Sequence, residues 1–250
     1  MRKLLWKNIW QALAAIVFLI AVWVIAYLAV GNELLIPSFS DSVKEVGKLF
    51  ASGGFWKSFG MSVLRSVIAF FISFSAALIF AVVAYLYPAV GGFFAPIVSA
   101  LRSLPVLAIL LILLSFLGTG EAPVAVAFLS LFPILYAGIL AALSSVDKHL
   151  IEVSRVQGTP LWRKVTAIYL PLSAPYILKE AGAALSFGIK LVVSAEVLAY
   201  TSNSLGGMMQ DAKIYNLPQL FALVGVAFAA GLILEFAVSL LAECVEKKVK

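Results

Sequence analysis

Charge is scarce in this chain. Asp, Glu, Lys and Arg make up 12% of its 250 residues and hydrophobic residues 63%, against roughly 25% and 45–50% in soluble domains. One soluble core could not hide so much apolar surface, so lipid must be part of the solvent. The single cysteine, Cys244, excludes an internal disulfide and a multi-cysteine metal site. The single histidine, His149, excludes a histidine-rich zinc centre. No Gly-x-x-x-x-Gly-Lys-Ser/Thr phosphate loop occurs. Polar groups are too few for a nucleophile, base and orienter arrangement, which argues against an intramembrane enzyme. The net charge of +6 invites a nucleic-acid partner. Yet the basic residues are spread between apolar runs, form no stripe and carry no RNA- or DNA-binding signature, so none is expected.

What the chain does hold is a series of long apolar runs. Six can cross a hydrocarbon core, which needs about 20 helical residues; they lie near residues 10–30, 62–86, 94–117, 122–144, 174–199 and 219–242. Arg2, Lys3 and Lys7 precede the first. It is longer than a signal-peptide core and no small-x-small cleavage site follows, so it reads as a retained first helix. Gly118-Thr-Gly-Glu-Ala-Pro123 is a turn joining the third and fourth runs as an antiparallel hairpin. Pro88, Gly91 and Gly92 mark the turn before the third, and Pro171 and Pro175 punctuate the start of the fifth.

Orientation follows from the connections. With the N-terminus inside, the cytoplasmic side holds Arg2, Lys3, Lys7, Lys148, Arg155, Arg163, Lys164, Lys179, Lys247, Lys248 and Lys250; the outer side holds Lys44, Lys48, Lys57 and Lys213. Both termini are therefore expected in the cytoplasm. The layout is a cytoplasmic N-terminus (1–9), a first helix (10–30), an extracytoplasmic connection (31–61), a five-helix core (62–242) containing a cytoplasmic elbow (145–171), and a cytoplasmic tail (243–250). In the outer connection Ser42-x-x-Glu45 has the capping-box pattern, followed by Val43, Val46, Leu49 and Phe50 at helical spacing. A short amphipathic helix ending near Gly53-Gly54 is predicted at the outer interface.

The cytoplasmic segment is the most structured polar stretch. Ser145 or Asp147 can cap a helix with Leu150, Ile151 and Val156 on its apolar side and Glu152 and Arg155 placed to pair. Gly158 stops that helix. Thr159 as cap and Pro160 at the first position start a second one, with Leu161, Trp162, Val165 and Ile168 as its apolar stripe and Arg163-Lys164 as its charged side. Pro171 ends it. Periodicity alone gives an amphipathic elbow, a docking surface without an identified partner.

Glu152-x-x-x-x-x-Gly158, nine residues, then Ile168-x-Leu170-Pro171 resembles the EAA loop of ABC importer permeases, with Val153 and Ser154 in place of two alanines. Ile36-Pro-Ser, Leu101-Arg-Ser-Leu-Pro105, Phe132-Pro133, Ala195-Glu196 and Leu205-Gly206, the last as an outer turn, are similar to the nitrate, sulfonate, taurine and bicarbonate group of these permeases. The resemblance implies an all-α type I importer permease fold with six transmembrane helices and coupling helices, in the bacterial cell membrane. In it Glu152, Arg155, Gly158, Leu161, Trp162, Ile168, Leu170 and Pro171 would dock in a separate ATPase. It also implies two ATP-binding cassette subunits holding ATP and Mg, a second permease copy with a homodimer favoured, and an extracytoplasmic binding protein. The chain itself would bind no cofactor or metal and would not be an enzyme. The implied substrate is a small solute delivered by the binding protein, a sulfonate, nitrate or similar anion; a thiamine precursor or another small metabolite is the alternative. An ion-gradient-driven secondary transporter is the further alternative, but it leaves the elbow unemployed, and no internal repeat is evident.

Ionisable groups inside the membrane are costly, about 2.5–3.5 kcal/mol each on insertion scales, and face protein or a wet cavity. Arg65 and Glu235 are near enough to span ends to reach the interface. Arg102 lies near carbonyls freed by Pro105, and a structural role suits it. Lys190 and Glu196 point about 120° apart on one helix, so each needs a partner elsewhere. Arg102, Lys190 and Glu196 are the candidate translocation-pathway residues, with Lys190 favouring an anionic or polar substrate. Ser103, Ser130 and Ser194 either line the path or bond their own helix backbones.

Overall fold

The computed structural model describes residues 2–249, without the side chains of residues 2–9, 11–13, 148, 153, 155, 248 and 249. It is helical, with no strand among the described residues. In order come α1 (Arg2–Val30), α2 (Phe39–Ala51), α3 (Gly53–Leu86), α4 (Pro88–Ser103), α5 (Val106–Ser144), α6 (Lys148–Val156) and α7 (Leu161–Lys164). A π-helical turn, Val165–Tyr169, leads from α7 into α8 (Leu170–Ala199), followed by α9 (Leu205–Tyr215) and α10 (Leu217–Val249). Among the described residues four helices are long and apolar enough to cross a membrane: Gly53–Leu86, Val106–Ser144, Leu161–Ala199 and Leu217–Lys247; α1 adds the shorter apolar run Ala14–Val30. The protein is an all-helical membrane protein.

Burial sets the arrangement. In the most apolar stretch of the Leu161–Ala199 helix 61% of residues are buried, against 22% in the last helix, so α8 sits in the middle, against α3, α5, α9 and α10. Lipid offers no hydrophobic drive for helices to meet, so close packing must supply it, and small residues let backbones approach. On α3 the buried positions Ser58, Ser62, Ser66, Ala69, Ser73, Ala77, Ala81 and Ala84 recur every three or four residues as one smooth stripe. Ser66 and Ser73 satisfy their hydroxyls on the carbonyls of Ser62 and Ala69. On α8 the close approaches fall at Gly182, against Val238, and Gly188, against Leu131. Leu131, Leu135, Ile139, Ile177 and Leu185 fill the space between.

Several boundaries differ from the sequence reading. The third expected crossing is in two pieces: α4 stops at Ser103, Leu104 is extended (φ −70°, ψ 130°), and Pro105 precedes α5. Proline forces its predecessor out of the α region, which is why the break falls there. The expected hairpin turn lies inside α5 at Gly118 (φ 73°, ψ −176°). Leu110 clusters with Ala122 and Val126, which a straight helix would hold about 18–24 Å away at 1.5 Å per residue, so the two arms of α5 fold back on each other. The break before α4 is at Tyr87, with Pro88 opening the helix and Gly91 and Gly92 inside it. Helix α2 starts four residues earlier than the Ser42 cap: Ser38 Oγ accepts from Asp41 N at 3.1 Å and donates to Asp41 Oδ2 at 2.8 Å, a reciprocal cap. Gly53 and Gly54 open α3 instead of trailing α2. Leu205-Gly206, expected in a turn, begins α9.

Candidate functional site

The elbow is built from α6, the Gly158 turn, α7 and the π-helical turn. Of the two possible caps, Asp147 does the work: its Oδ1 accepts from His149 N at 2.9 Å, while Ser145 closes α5. Gly158 has φ +65°, the left-handed conformation that an L side chain resists. Thr159 is not the cap of α7. Pro160 takes that position (φ −66°, ψ 150°), its carbonyl accepting from Arg163 N at 3.0 Å, while Thr159 N donates back to Ser154 O.

The expected single apolar stripe is split in two. Ile151, Val165, Ile168 and Leu170 pack inward on the main core with Val146 and Tyr169. Leu150, Val156, Leu161 and Trp162 face outward, Val156 at 89% exposure and Trp162 at 65%. The Arg163 guanidinium stacks over the Trp162 ring at 5.5 Å, a cation–π contact that braces the indole in the open. Glu152 and Gly158 are exposed, Pro171 is half-buried, and the side chain of Arg155 lies outside the described residues. Pro171 does not end the helix as expected. Proline lacks an N–H and its ring collides with the carbonyl four residues back; the π-helical turn widens the winding just before it, Leu170 N bonding Val165 O, and the chain runs on into α8. At this exit the Tyr169 ring meets Tyr85 of α3 edge-on, centroids 5.1 Å apart.

At the far ends of the same two helices lies a buried polar knot. Glu196 of α8 is fully buried. Its carboxylate accepts from Ser62 Oγ at 2.5 Å, Arg65 Nη1 at 3.0 Å and, more weakly, Gly206 N at 3.4 Å. Ser62 Oγ in turn accepts from Leu205 N at 2.9 Å. Arg65 was expected to reach the interface; it turns inward because a buried carboxylate costs several kcal/mol unless a cation compensates it. Side chains at Gly206 are excluded, since a Cβ would stand 2.4 Å from Glu196 Cβ and Val197 N. Thr201 Oγ1 donates to Thr119 O at 2.7 Å, tying in the hinge of α5. A cleft opens above the knot between Lys57, Ser58, Tyr200, Asn203, Met208 and Asp211. There the Tyr200 hydroxyl donates to Asp211, and that bond together with the Asp211 charge holds the phenol above its ordinary pKa.

The three pathway candidates are not brought together. Arg102 is exposed and lines a cavity with Ser99, Tyr136 and Ser144. Lys190 is exposed on α8, its Nζ 5.9 Å from the Phe228 ring and, among the described residues, without a carboxylate partner. Glu196 is locked in the knot. Ser103 and Ser130 bond backbone carbonyls of their own helices. Sequence reasoning missed Ser62, Arg65 and Gly206 as one constellation.

Comparison with known proteins bears on this geometry. The family model described as "Binding-protein-dependent transport system inner membrane component" matches residues 76–250. The taurine transport system permease protein of Escherichia coli (strain K12) is 25% identical over 223 residues, 84% of this chain and 81% of that protein. The putative aliphatic sulfonates transport permease protein of Bacillus subtilis (strain 168) is 27% identical over 203 residues, 79% and 72% of the two chains. Among solved structures, the inward-facing MetNI methionine ABC transporter aligns with TM-score 0.61 at 19% identity, covering 76% of this chain and 93% of that one. A bacterial alginate ABC transporter, solved with a pentasaccharide-bound periplasmic protein, aligns with TM-score 0.65 at 14% identity over 97% and 96%. At those identities the likeness speaks for the fold.

Proposed function

Because the chain belongs to the binding-protein-dependent transport system inner membrane components, we propose that it forms, with a second copy of itself, the translocation path of an importer driven through the elbow. The chain is a permease subunit of a binding-protein-dependent ABC importer, a multi-pass inner-membrane protein and not itself catalytic. The family implies an ATPase and a binding protein as partners. The finer assignment is ours: two ATPase copies hold ATP and Mg, each receives one elbow, both termini and the elbow are cytoplasmic, and six crossings make up the type I importer fold.

One observation carries the docking assignment. The elbow exposes Leu150, Val156, Leu161 and Trp162 at its tip while its other face is fastened to the core. Such a lever can be pushed without detaching, and rigid-body movement of α8 and α3 would then switch the path between its two faces. Glu152, Arg155 and Gly158 frame the tip; Ile168, Leu170 and Pro171 anchor it. Co-purification tests this: the ATPase encoded with the permease should be retained by the unmodified chain and lost from Leu161→Asp/Trp162→Asp. Retention by that variant rejects the elbow as the dock.

For the substrate we propose a small sulfonate such as taurine, on the strength of the two permease relatives. Lys190 supports the choice. It lies on the exposed stripe of α8 with Ala183, Phe187, Ser194 and Leu198, and Ser186, one turn before it, has a buried hydroxyl unpartnered among the described residues, beside Gly231. An unpaired ammonium on a helix this apolar favours an anion. Arg102 adds a second positive charge near the path, whereas Glu196 supports its wall. Lys190→Met should lower taurine uptake about tenfold or more, equivalent to losing one charge-assisted hydrogen bond; unchanged uptake rejects the role.

A further inference from the structure

We propose that the Arg65–Glu196 pair is a positioning clasp that makes α9, and the cleft above it, follow the elbow. This rests on the reading of the elbow as the driven end. Helices α3 and α8 are joined at both ends. At the elbow, Tyr85 meets Tyr169; at the other end, Ser62 and Arg65 hold Glu196. The stretch from Arg65 to Tyr85 spans about 30 Å and that from Tyr169 to Glu196 about 40 Å at 1.5 Å per residue. The two helices are therefore struts with a fastening at each end, and α9 hangs on the far one. Leu205 N bonds Ser62 Oγ, Gly206 N bonds Glu196, and Gly206 lets the α9 backbone lie directly on the Glu196 backbone.

The chemistry fits a positioning role better than a contribution to stability. Replacing a buried ion pair by apolar side chains of similar volume is often neutral or stabilising, so mere cohesion does not call for this one. What apolar packing cannot supply is direction. Oε1 of the α8 carboxylate takes Arg65 of α3, while Oε2 takes both Ser62 of α3 and Gly206 of α9, so the three helices are fixed in a single mutual arrangement.

The test uses the intact complex of permease and ATPase in lipid vesicles and needs no transported substrate. In a Cys244→Ser background a single reporter, Ser202→Cys, sits in the exposed cleft loop. Its rate of maleimide labelling is measured without nucleotide and with ATP and vanadate. For the otherwise unmodified chain the rate should change by about fivefold or more, the lower end of ordinary allosteric coupling. Glu196→Gln keeps one acceptor oxygen for Ser62 and Gly206, which share Oε2, but removes the charge facing Arg65; it should bind the ATPase and lose the nucleotide response. Gly206→Ala, which leaves the ion pair in place but forces α9 away, should do the same. Arg65→Lys, which keeps the charge, should restore at least half of the response. A purely structural role would lower the yield of complex and leave the response of the assembled fraction intact. Any of three results overturns the clasp alone: no response in the unmodified complex, a full response in Glu196→Gln, or a full response in Gly206→Ala. If the unmodified chain binds no ATPase, the docking assignment falls first and the clasp with it.

Discussion

At the scale of single residues, cost depends on what a side chain would leave behind. Arg65→Met strands a fully buried carboxylate, and removing one partner of such a pair typically costs about 3–5 kcal/mol. The purified protein should melt well below the unmodified chain, and a melting temperature within a degree or two of it would mean that Glu196 finds another partner. Glycines differ for the same reason. At Gly138 an added Cβ has side-chain atoms of Glu180 as its nearest neighbours, whereas at Gly206 it meets the backbone of Glu196 and Val197, so Gly138→Ala should lower the melting temperature less than Gly206→Ala. Gly158→Ala meets no neighbour within 4 Å, yet its φ of +65° costs an L residue about 1–2 kcal/mol; the melting temperature of the permease should fall accordingly.

Residue-level detail was only partly legible beforehand. The need of Glu196 for a partner follows from charge burial, and alternating crossings place the start of the second span and the end of the fifth on the same side. That signal was present for Arg65. Gly206 could not be found this way, because its role depends on how closely α9 lies on α8, which no local pattern encodes.

At the scale of elements, the elbow and α2 make opposite demands. Trp162 and Leu161 are exposed, so Trp162→Ala and Leu161→Ala should each shift the stability of the isolated permease by less than about 0.5 kcal/mol while abolishing ATPase co-purification. A large loss of stability would show that these side chains pack within the chain. Helix α2 relies on its reciprocal cap. A bond from Lys44, then one from the Ser38 hydroxyl, holds the Asp41 carboxyl below its ordinary pKa. Since the folded value is the lower one, the stabilisation is complete above the unfolded pKa and vanishes as pH falls through the folded one. The difference in melting temperature between the unmodified chain and Asp41→Asn should therefore shrink on acidification and disappear below the folded value.

The amphipathic elements were readable because helical periodicity and capping residues are local. Their limits were not: Ser38 outcompetes Ser42 because Asp41 can bond back to it, and the elbow stripe divides because tertiary packing claims Ile151, Val165 and Ile168.

At the scale of the whole molecule, the chain carries its own probe of orientation. Cys244 is exposed and lies in the tail predicted to be cytoplasmic. A membrane-impermeant maleimide should label it in inside-out vesicles and spare it in intact spheroplasts. Labelling of spheroplasts would reverse the topology and place the elbow outside the cell. The membrane class was plain from hydropathy, since lipid requires self-satisfied helices. The central place of α8 was not, because its smooth, glycine-bearing faces do not reveal which neighbours they meet.

The widened winding at Val165–Tyr169 gives Pro171 a meaning beyond helix breaking. One residue more per turn there sets the angular phase between the tip and the long helix behind it. Were the turn to relax to ordinary α winding, everything ahead of it would swing by about 100°, carrying Trp162 to a different quarter of the surface. A single imino acid thus sets the compass bearing of the indole, and Pro171→Ala would leave a helix that is intact but aimed elsewhere.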